Sequence, residues 1–282
     1  MIQRWLEHPL TRGADLDDPR TTGLRRRIIR EKVALRAIYG EWYRRLADAL
    51  PAGPERVLEL GSGGGYFGEV VPGAIRSEVF PCPWLDVALD GQELPFADGS
   101  LRGIAMTNVL HHLPRPARFL VEAARCIRPG GVVAMVEPWN TSWSRFVYRR
   151  FHHEPFLPDA ESWEATPGGP LSGANGALPW ILLVRDRERF HREHPQWRIR
   201  SIEPLMPFTY LLSGGVSLRA LVPARLLAAW RGVERAFAPL SRRMAMFAVI
   251  VLERRPDSGA AGGRGAQGGP AGAGGLAASM RR

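Results

Sequence analysis

The sequence predicts an α/β fold in which one parallel sheet is covered on both faces by helices, and three observations carry that reading. Val57 to Leu60 form a short, largely apolar strand that runs straight into Gly61, Gly63, Gly64 and Gly65. Val132 to Glu137 is a nearly continuous apolar segment, the pattern of a strand buried on both faces. Such strands alternate with helices that carry one apolar stripe, which is the element order of a parallel sheet. A chain of 282 residues, 45% of them hydrophobic, suffices for one sizeable domain of this class with additions.

The elements follow in order. Residues 1–20 carry Pro9, Gly13 and Pro19 and are expected to be irregular. Thr22 is placed to cap one long helix that runs to about Ala49 and is closed by Pro51. Its apolar positions Leu24, Ile28, Leu35, Tyr39, Trp42 and Leu46 recur at helical spacing, and Arg25, Arg26, Arg30, Lys32 and Arg36 make a solvated basic face. After the glycines, Tyr66 to Val71 leave room for only a short helix before Pro72-Gly73. Ile75 to Phe80 is the second strand, stopped by Pro81-Cys82-Pro83, and Val87 to Leu89 the third, ending at Asp90-Gly91. Gly103 to Thr107 is the fourth, followed by Asn108-Val109-Leu110-His111-His112. A proline in the first turn and the stripe Phe119, Leu120, Ala123, Ala124, Ile127 define a helix from about Pro116 to Ile127. Arg128-Pro129-Gly130-Gly131 stops it before the fifth strand.

Beyond Pro138 the pattern loosens. Residues 141–153 read as a helix ending in His152-His153-Glu154-Pro155, and 155–180 as an ordered surface loop rich in Pro and Gly. Leu182 to Glu193 is a further helix, Trp197 to Leu205 a sixth strand, Leu218 to Leu240 an amphipathic basic helical region and Met246 to Glu253 the last strand. The expected organisation is a helical extension over 1–50, the α/β domain over 51–255 with a helical cap insertion at about 138–245, and a tail over 256–282. That tail is dominated by Gly and Ala, has too little apolar bulk to pack, and is expected to be disordered.

Formal net charge is +10, a value that raises nucleic acid as a partner. Lys32 is the only lysine, however, so the positive charge is almost wholly arginine, spread over the chain like a composition bias. Nucleic-acid binding is therefore not the expected meaning of the charge. Cys82 and Cys126 stand far apart and make neither a disulfide framework nor a metal site, in keeping with a reducing cytoplasm. Met1 to Leu10 has no continuous apolar run, so no signal peptide is expected, and no segment reaches the roughly 18 apolar residues of a spanning helix.

The chemistry concentrates around Glu59-x-Gly61-x-Gly63-x-Gly65. Glycines at a strand's carboxyl end let the backbone turn sharply and approach a ligand closely, where open α/β sheets bind their ligands. Gly63-x-Gly65-x-x-Gly68, with Glu78 downstream, formally satisfies a dinucleotide fingerprint and keeps a nicotinamide enzyme as a rival. The register opposes it, because the first glycine after the strand is Gly61 and the third site counted from there is Tyr66. Nor does that rival explain Asp90-Gly91-Gln92 with Leu94-Pro95-Phe96, the Asn108 to His112 stretch, or the Arg128 to Gly131 turn.

In this order and spacing the motifs resemble, across roughly residues 55–140, the methyltransferase type 11 group of bacterial class I S-adenosyl-L-methionine (SAM)-dependent methyltransferases. The resemblance implies a Rossmann-like sheet, parallel but for an antiparallel last strand, with SAM as cofactor. It implies that Glu59, Gly61, Ser62, Gly63 and Gly65 face the methionine moiety and that Glu78, with Val79 beside it, meets the ribose hydroxyls. Asp90 would meet the adenine amino group with Gly91 and Gln92 alongside, and Asn108 would lie near the sulfur. It also implies an N-terminal helix over the cofactor, which makes Tyr39 and Tyr43 ligand candidates. The short helix after the glycines, Pro81-Cys82-Pro83-Trp84 after the second strand, and Arg102 in place of an acid depart from the pattern.

Methyl transfer is an in-line displacement in which positioning supplies most of the catalysis, and a base is needed only where the acceptor loses a proton. The candidate bases are His111, His112, Glu137, His152 and His153. No metal site is expected, since His111-His112 and His152-His153 are adjacent pairs with no third ligand in register. The expected reaction is O-methylation of a small-molecule or glycan acceptor. A nucleic-acid methyltransferase and a catalytically silent SAM-binding partner protein are the alternatives. Aromatics beside arginines in the cap add the expectation of weak peripheral association with anionic membranes.

Overall fold

The computed structural model describes residues 7–15, 17–152, 154–164, 168–169, 172–236 and 238–256. His153 and nearly all of the expected tail lie outside the described residues. Two helices precede the sheet where one long helix was expected: α1, Pro19–Glu31, and α2, Val33–Ala49. The first is capped by Asp18, whose carboxylate accepts the Arg20 N–H at 2.8 Å, and Thr22 is buried inside it. The break falls at Lys32, which adopts an extended backbone. Its ammonium donates to the carbonyls of Gly215 (2.7 Å) and Leu218 (2.9 Å), and its burial lowers the pKa to about 8. Nothing local forbids a helix at Lys32. The distant carbonyls draw the side chain across and turn the chain there.

The sheet elements are β1 (Arg56–Leu60), β2 (Ile75–Glu78), β3 (Val87–Ala88), β4 (Leu101–Thr107) and β5 (Ile127–Pro138). The single-turn helix α3 (Phe67–Val70) follows β1, and α4 (Pro116–Cys126) lies between β4 and β5. The fifth strand starts earlier than its apolar run, because Ile127 already pairs with Leu101 and the Arg128–Gly131 stretch is taken up in a register shift. After α5 (Ser142–Phe151), a helical segment α6 (Leu178–Trp180) passes through a π turn, Ile181–Arg185, into α7 (Arg187–Glu193). The strand β6 (Trp197–Leu205) and the short helix α8 (Thr209–Ser213) come next. The expected helical region 218–240 is narrower, with α9 (Ala224–Ala236) and α10 (Ala238–Arg243), because Leu218 bridges to Glu7 and the chain bends before Pro223. The chain closes the sheet with β7 (Phe247–Arg254).

These strands form one seven-stranded sheet in the order β3-β2-β1-β4-β5-β7-β6. Strands β1 to β5 pair in parallel, and β7 runs antiparallel to both β5 and β6, as expected of a last strand. In an open sheet of this kind the crevice lies beyond the carboxyl ends of the strands where the order reverses, between β1 and β4. Helix α2 anchors the N-terminal layer through Trp42, fully buried and packed against Tyr39, Tyr210 and Phe247. No helix among the described residues is long and apolar enough to cross a membrane.

Candidate active site

A cavity of about 850 Å³ opens at the strands' carboxyl ends, near the upper bound of about 1,000 Å³ for small-molecule sites. The loop after β1 forms part of its wall. Gly61 and Gly63 have positive φ, 65° and 49°, which suit glycine. Gly64 is required by proximity instead: a Cβ there would stand 2.5 Å from the backbone nitrogen of Arg26 on α1. The N-terminal helix thus lies directly on the loop, and the Arg26 guanidinium donates to the Gly65 carbonyl at 2.7 Å. On the other side the Trp84 indole N–H donates to the Gly63 carbonyl at 3.0 Å. The Pro81-Cys82-Pro83-Trp84 departure therefore packs against the loop it follows.

Of the residues expected at the cofactor, Gly61, Ser62, Gly63, Gly65, Glu78, Val79, Asp90, Gly91, Gln92 and Asn108 all line the cavity. Glu78 ends β2 and accepts the Gly63 N–H at 2.9 Å and the Val79 N–H at 2.8 Å. Burial raises its pKa, against the pull of those two donors. Asp90 accepts the Gln92 backbone N–H at 2.8 Å, an Asx-type turn that holds both side chains in place. Asn108 takes a left-handed backbone, φ 57°, and its buried Oδ1 has no hydrogen-bond partner among the described residues. An orphaned buried acceptor in the wall of a polar crevice is what a bound ligand would satisfy.

Glu59 departs from expectation. Its carboxylate is not in the cavity wall but beneath the loop, where it accepts the Ser62 hydroxyl at 2.6 Å, while the Ser77 hydroxyl donates to its backbone carbonyl. Burial raises its pKa to about 7, only partly offset by the Ser62 hydrogen bond. An acid with a folded pKa above its unfolded value of about 4.5 favours the fold while protonated, and that contribution is lost as pH rises from there through about 7. Glu59→Gln keeps the shape and an acceptor for Ser62 but cannot ionise. The variant is expected to match the parent near pH 4 and to exceed it by roughly 2–3 kcal/mol at pH 8. Denaturant melts of both proteins across that range check this, and parallel pH profiles would refute it.

The candidate bases divide. His111 and His112, on a 3-10 turn at Leu110–His112, line the cavity, as does His152. Glu137 does not, being fully buried behind His111. Its Oε1 accepts the N–H groups of Val109 (2.8 Å) and Leu110 (2.7 Å), and its Oε2 lies 2.6 Å from Nδ1 of His111. Burial opposes charge on His111, but the carboxylates of Glu137 and Glu154 outweigh it and raise the pKa to about 9. Burial and the neighbouring His111 lower that of His112 to about 3.

Two site residues escaped the sequence reading. Arg25, assigned to a solvated basic face, stands in the cavity wall with Thr22 and Ile29, one helical face at three- and four-residue spacing. Glu154 reaches the histidine pair, with Oε2 3.5 Å from Nε2 of His111 and Oε1 3.9 Å from Nε2 of His112. The sequence offers the His111-His112 pair no third ligand in register, whereas in the structure potential ligand atoms of His111, His112 and Glu154 all lie within 4.8 Å of one another. Tyr39 and Tyr43 also line the cavity.

A sheet of this order, a glycine loop after its first strand and acids ending the next two together define a class I SAM-dependent methyltransferase. The chain belongs to the methyltransferase domain family, whose profile matches residues 29–199. It is 26% identical over 170 residues to an uncharacterized methyltransferase of Mycolicibacterium paratuberculosis, covering 50% of this chain and 66% of that protein. It is 27% identical over 171 residues to a demethylmenaquinone methyltransferase of Streptomyces avermitilis, covering 54% of this chain and 73% of the relative. In structure it is similar to a SAM-dependent methyltransferase from Thermotoga maritima, with a TM-score of 0.51 at 15% identity over 83% of this chain and all of that one, a likeness of fold. S-Adenosyl-L-methionine is the cofactor.

Proposed function

We propose that the protein methylates a small, largely apolar molecule that carries one polar reacting group, an oxygen being the favoured acceptor atom. The observation that carries this reading is the wall of the cavity. Beside the loop and the strand-end acids it holds Val147, Tyr148, Phe151, Phe156 and Phe247, with His111, His112 and Glu154 as a polar island among them. Walls of that kind bury an apolar or aromatic acceptor better than a glycan, and the island presents its polar group. The relative named for demethylmenaquinone is in keeping with such an acceptor.

In this reading Glu78 takes the two ribose hydroxyls and Asp90 the adenine amino group. The loop from Gly61 to Gly65 lies along the methionine moiety, and Arg25 offers a cation to a carboxylate. Glu59 braces the loop without touching the ligand. When bound, SAM supplies a methyl group already activated by its sulfonium. The chain's residues hold the acceptor in line and exclude water, and His111, set between Glu137 and Glu154, orients the acceptor's polar group at the reacting centre. Glu137 is a positioning residue that fixes the His111 ring.

Calorimetry of SAM against NADH, on the parent and on Glu78→Ala, tests the reading. SAM should bind and NADH should not, and Glu78→Ala should weaken SAM by about 10- to 150-fold, or roughly 1.5–3 kcal/mol, through lost charge-assisted hydrogen bonds. A preference for NADH, or unchanged SAM affinity in a folded Glu78→Ala, would overturn it. The exposed Leu226, Trp230 and Val233 on α9, beside the exposed Arg225 and Arg235, also support weak, salt-sensitive association with anionic membranes. Co-sedimentation with anionic vesicles at low and high salt tests that second point.

A further inference from the structure

We propose that His111, His112 and Glu154 form a binding site for a divalent transition-metal ion of the zinc class, with an open coordination position facing the cavity. This deepens the reading of the cavity as the place of the acceptor and rests on it for the metal's role, though not for its binding. The two imidazoles come from one 3-10 turn with ring centroids 4.2 Å apart, and Glu154 comes from the segment after α5. Nε2 of each ring faces the carboxylate, at 3.5 and 3.9 Å. Tetrahedral ligands about 2.0–2.1 Å from a zinc ion lie roughly 3.4 Å from one another, so these separations need little adjustment.

A metal-bound histidine donates its other ring N–H to a carboxylate, a backbone carbonyl or water, which fixes the tautomer and the ring's direction. His111 has that partner in Glu137 at 2.6 Å, and Glu137 is itself held by two backbone N–H groups. With Nδ1–H given to Glu137, Nε2 faces Glu154, and a metal ion taking that place displaces the Nε2 proton to solvent. Two histidines and one carboxylate are a borderline donor set that suits zinc, cobalt or iron(II) better than magnesium or calcium. All three side chains line the cavity, so three protein ligands leave a position for a small molecule, the arrangement of a catalytic rather than a structural site. A hydroxyl acceptor taking that position would form an oxygen–metal bond and release its proton to solvent, giving a bound alkoxide or phenoxide as nucleophile.

The test uses the full, tag-free chain, stripped with a chelator and titrated with Co²⁺ by visible absorption and with Zn²⁺ by calorimetry. One equivalent should bind, with the strong visible bands of a four- or five-coordinate cobalt site. Glu154→Gln and His112→Gln should each weaken Zn²⁺ by at least about 100-fold, and Glu137→Gln by about 10- to 100-fold. SAM affinity, measured on the same samples, reports that each variant is folded. Absence of a stoichiometric site in the parent, or Zn²⁺ affinity unmoved by both ligand variants, would overturn the proposal. Metal binding without SAM binding would sink the methyl-transfer reading while leaving this site standing. SAM binding and undiminished turnover in the metal-free chain would leave the methyl-transfer reading standing and remove the metal from the reaction, the site itself being decided by the titrations.

Discussion

Replacing His111 with alanine is expected to slow methyl transfer by about 10²-fold while leaving SAM affinity within about threefold of the parent. The side chain is 1% exposed, lies 2.6 Å from Glu137 and lines the cavity with His112 and Glu154, apart from the acids at the ends of β2 and β3. Its loss should therefore fall on kcat far more than on cofactor binding, the pattern of an interaction made at the reacting group. Single-turnover assays with labelled SAM, alongside calorimetry, check both halves. Full turnover would remove His111 from the chemistry, and a parallel collapse of SAM binding would make it part of the cofactor's support. Glu137→Gln offers a control, since it keeps a hydrogen-bonding group against the ring. It should lie between parent and His111→Ala if orientation of the imidazole is what matters.

The second large effect concerns stability. Trp42→Ala is expected to cost about 3–5 kcal/mol, a large part of a domain's usual 5–15 kcal/mol. Trp42 is wholly buried and joins three parts of the chain, stacking on Tyr210 at 5.5 Å and packing against Phe247 at 5.0 Å from its own position on α2. The void would loosen α2, which carries Tyr39 and Tyr43 into the cavity wall, so SAM affinity should fall with stability. Trp42→Phe separates packing from polarity. It keeps a ring and removes an indole N–H that has no partner among the described residues, so its cost should stay below about 1.5 kcal/mol. Urea melts of the three proteins decide the matter, and a cost under 1 kcal/mol for Trp42→Ala would show that the layer is held elsewhere.

Both expectations bear on how the molecule works. The N-terminal helices cover the glycine loop, through the Arg26 backbone over Gly64 and the Arg26 guanidinium on the Gly65 carbonyl. Access to the cavity thus depends on a layer anchored by one tryptophan and by Lys32, whose ammonium ties the junction of α1 and α2 to the carbonyls of Gly215 and Leu218. Binding and stability are coupled through that layer because the same aromatic residues serve both.

The sequence by itself determined the order of the strands, the family, and most of the residues in the cavity wall after β1, β2, β3 and β4. Gly61, Glu78, Asp90 and Asn108 each stand at a fixed offset from the end of a strand, and strand ends are marked by local patterns of apolar runs, glycines and acids. Whatever depends on such short-range patterns is legible in one dimension. Tertiary structure alone decided that Glu59 turns under the loop to Ser62, that the helix breaks at Lys32, that Arg25 enters the cavity, and that Glu154 completes a cluster with His111 and His112. Each of these is fixed by the partner a side chain meets after the chain has folded. For Lys32 that partner is some 180 residues away and for the histidines some 40, and no period in the sequence encodes such meetings. Local propensity permits several directions for each of these side chains, and only the packing of the whole sheet and its cap removes all but one.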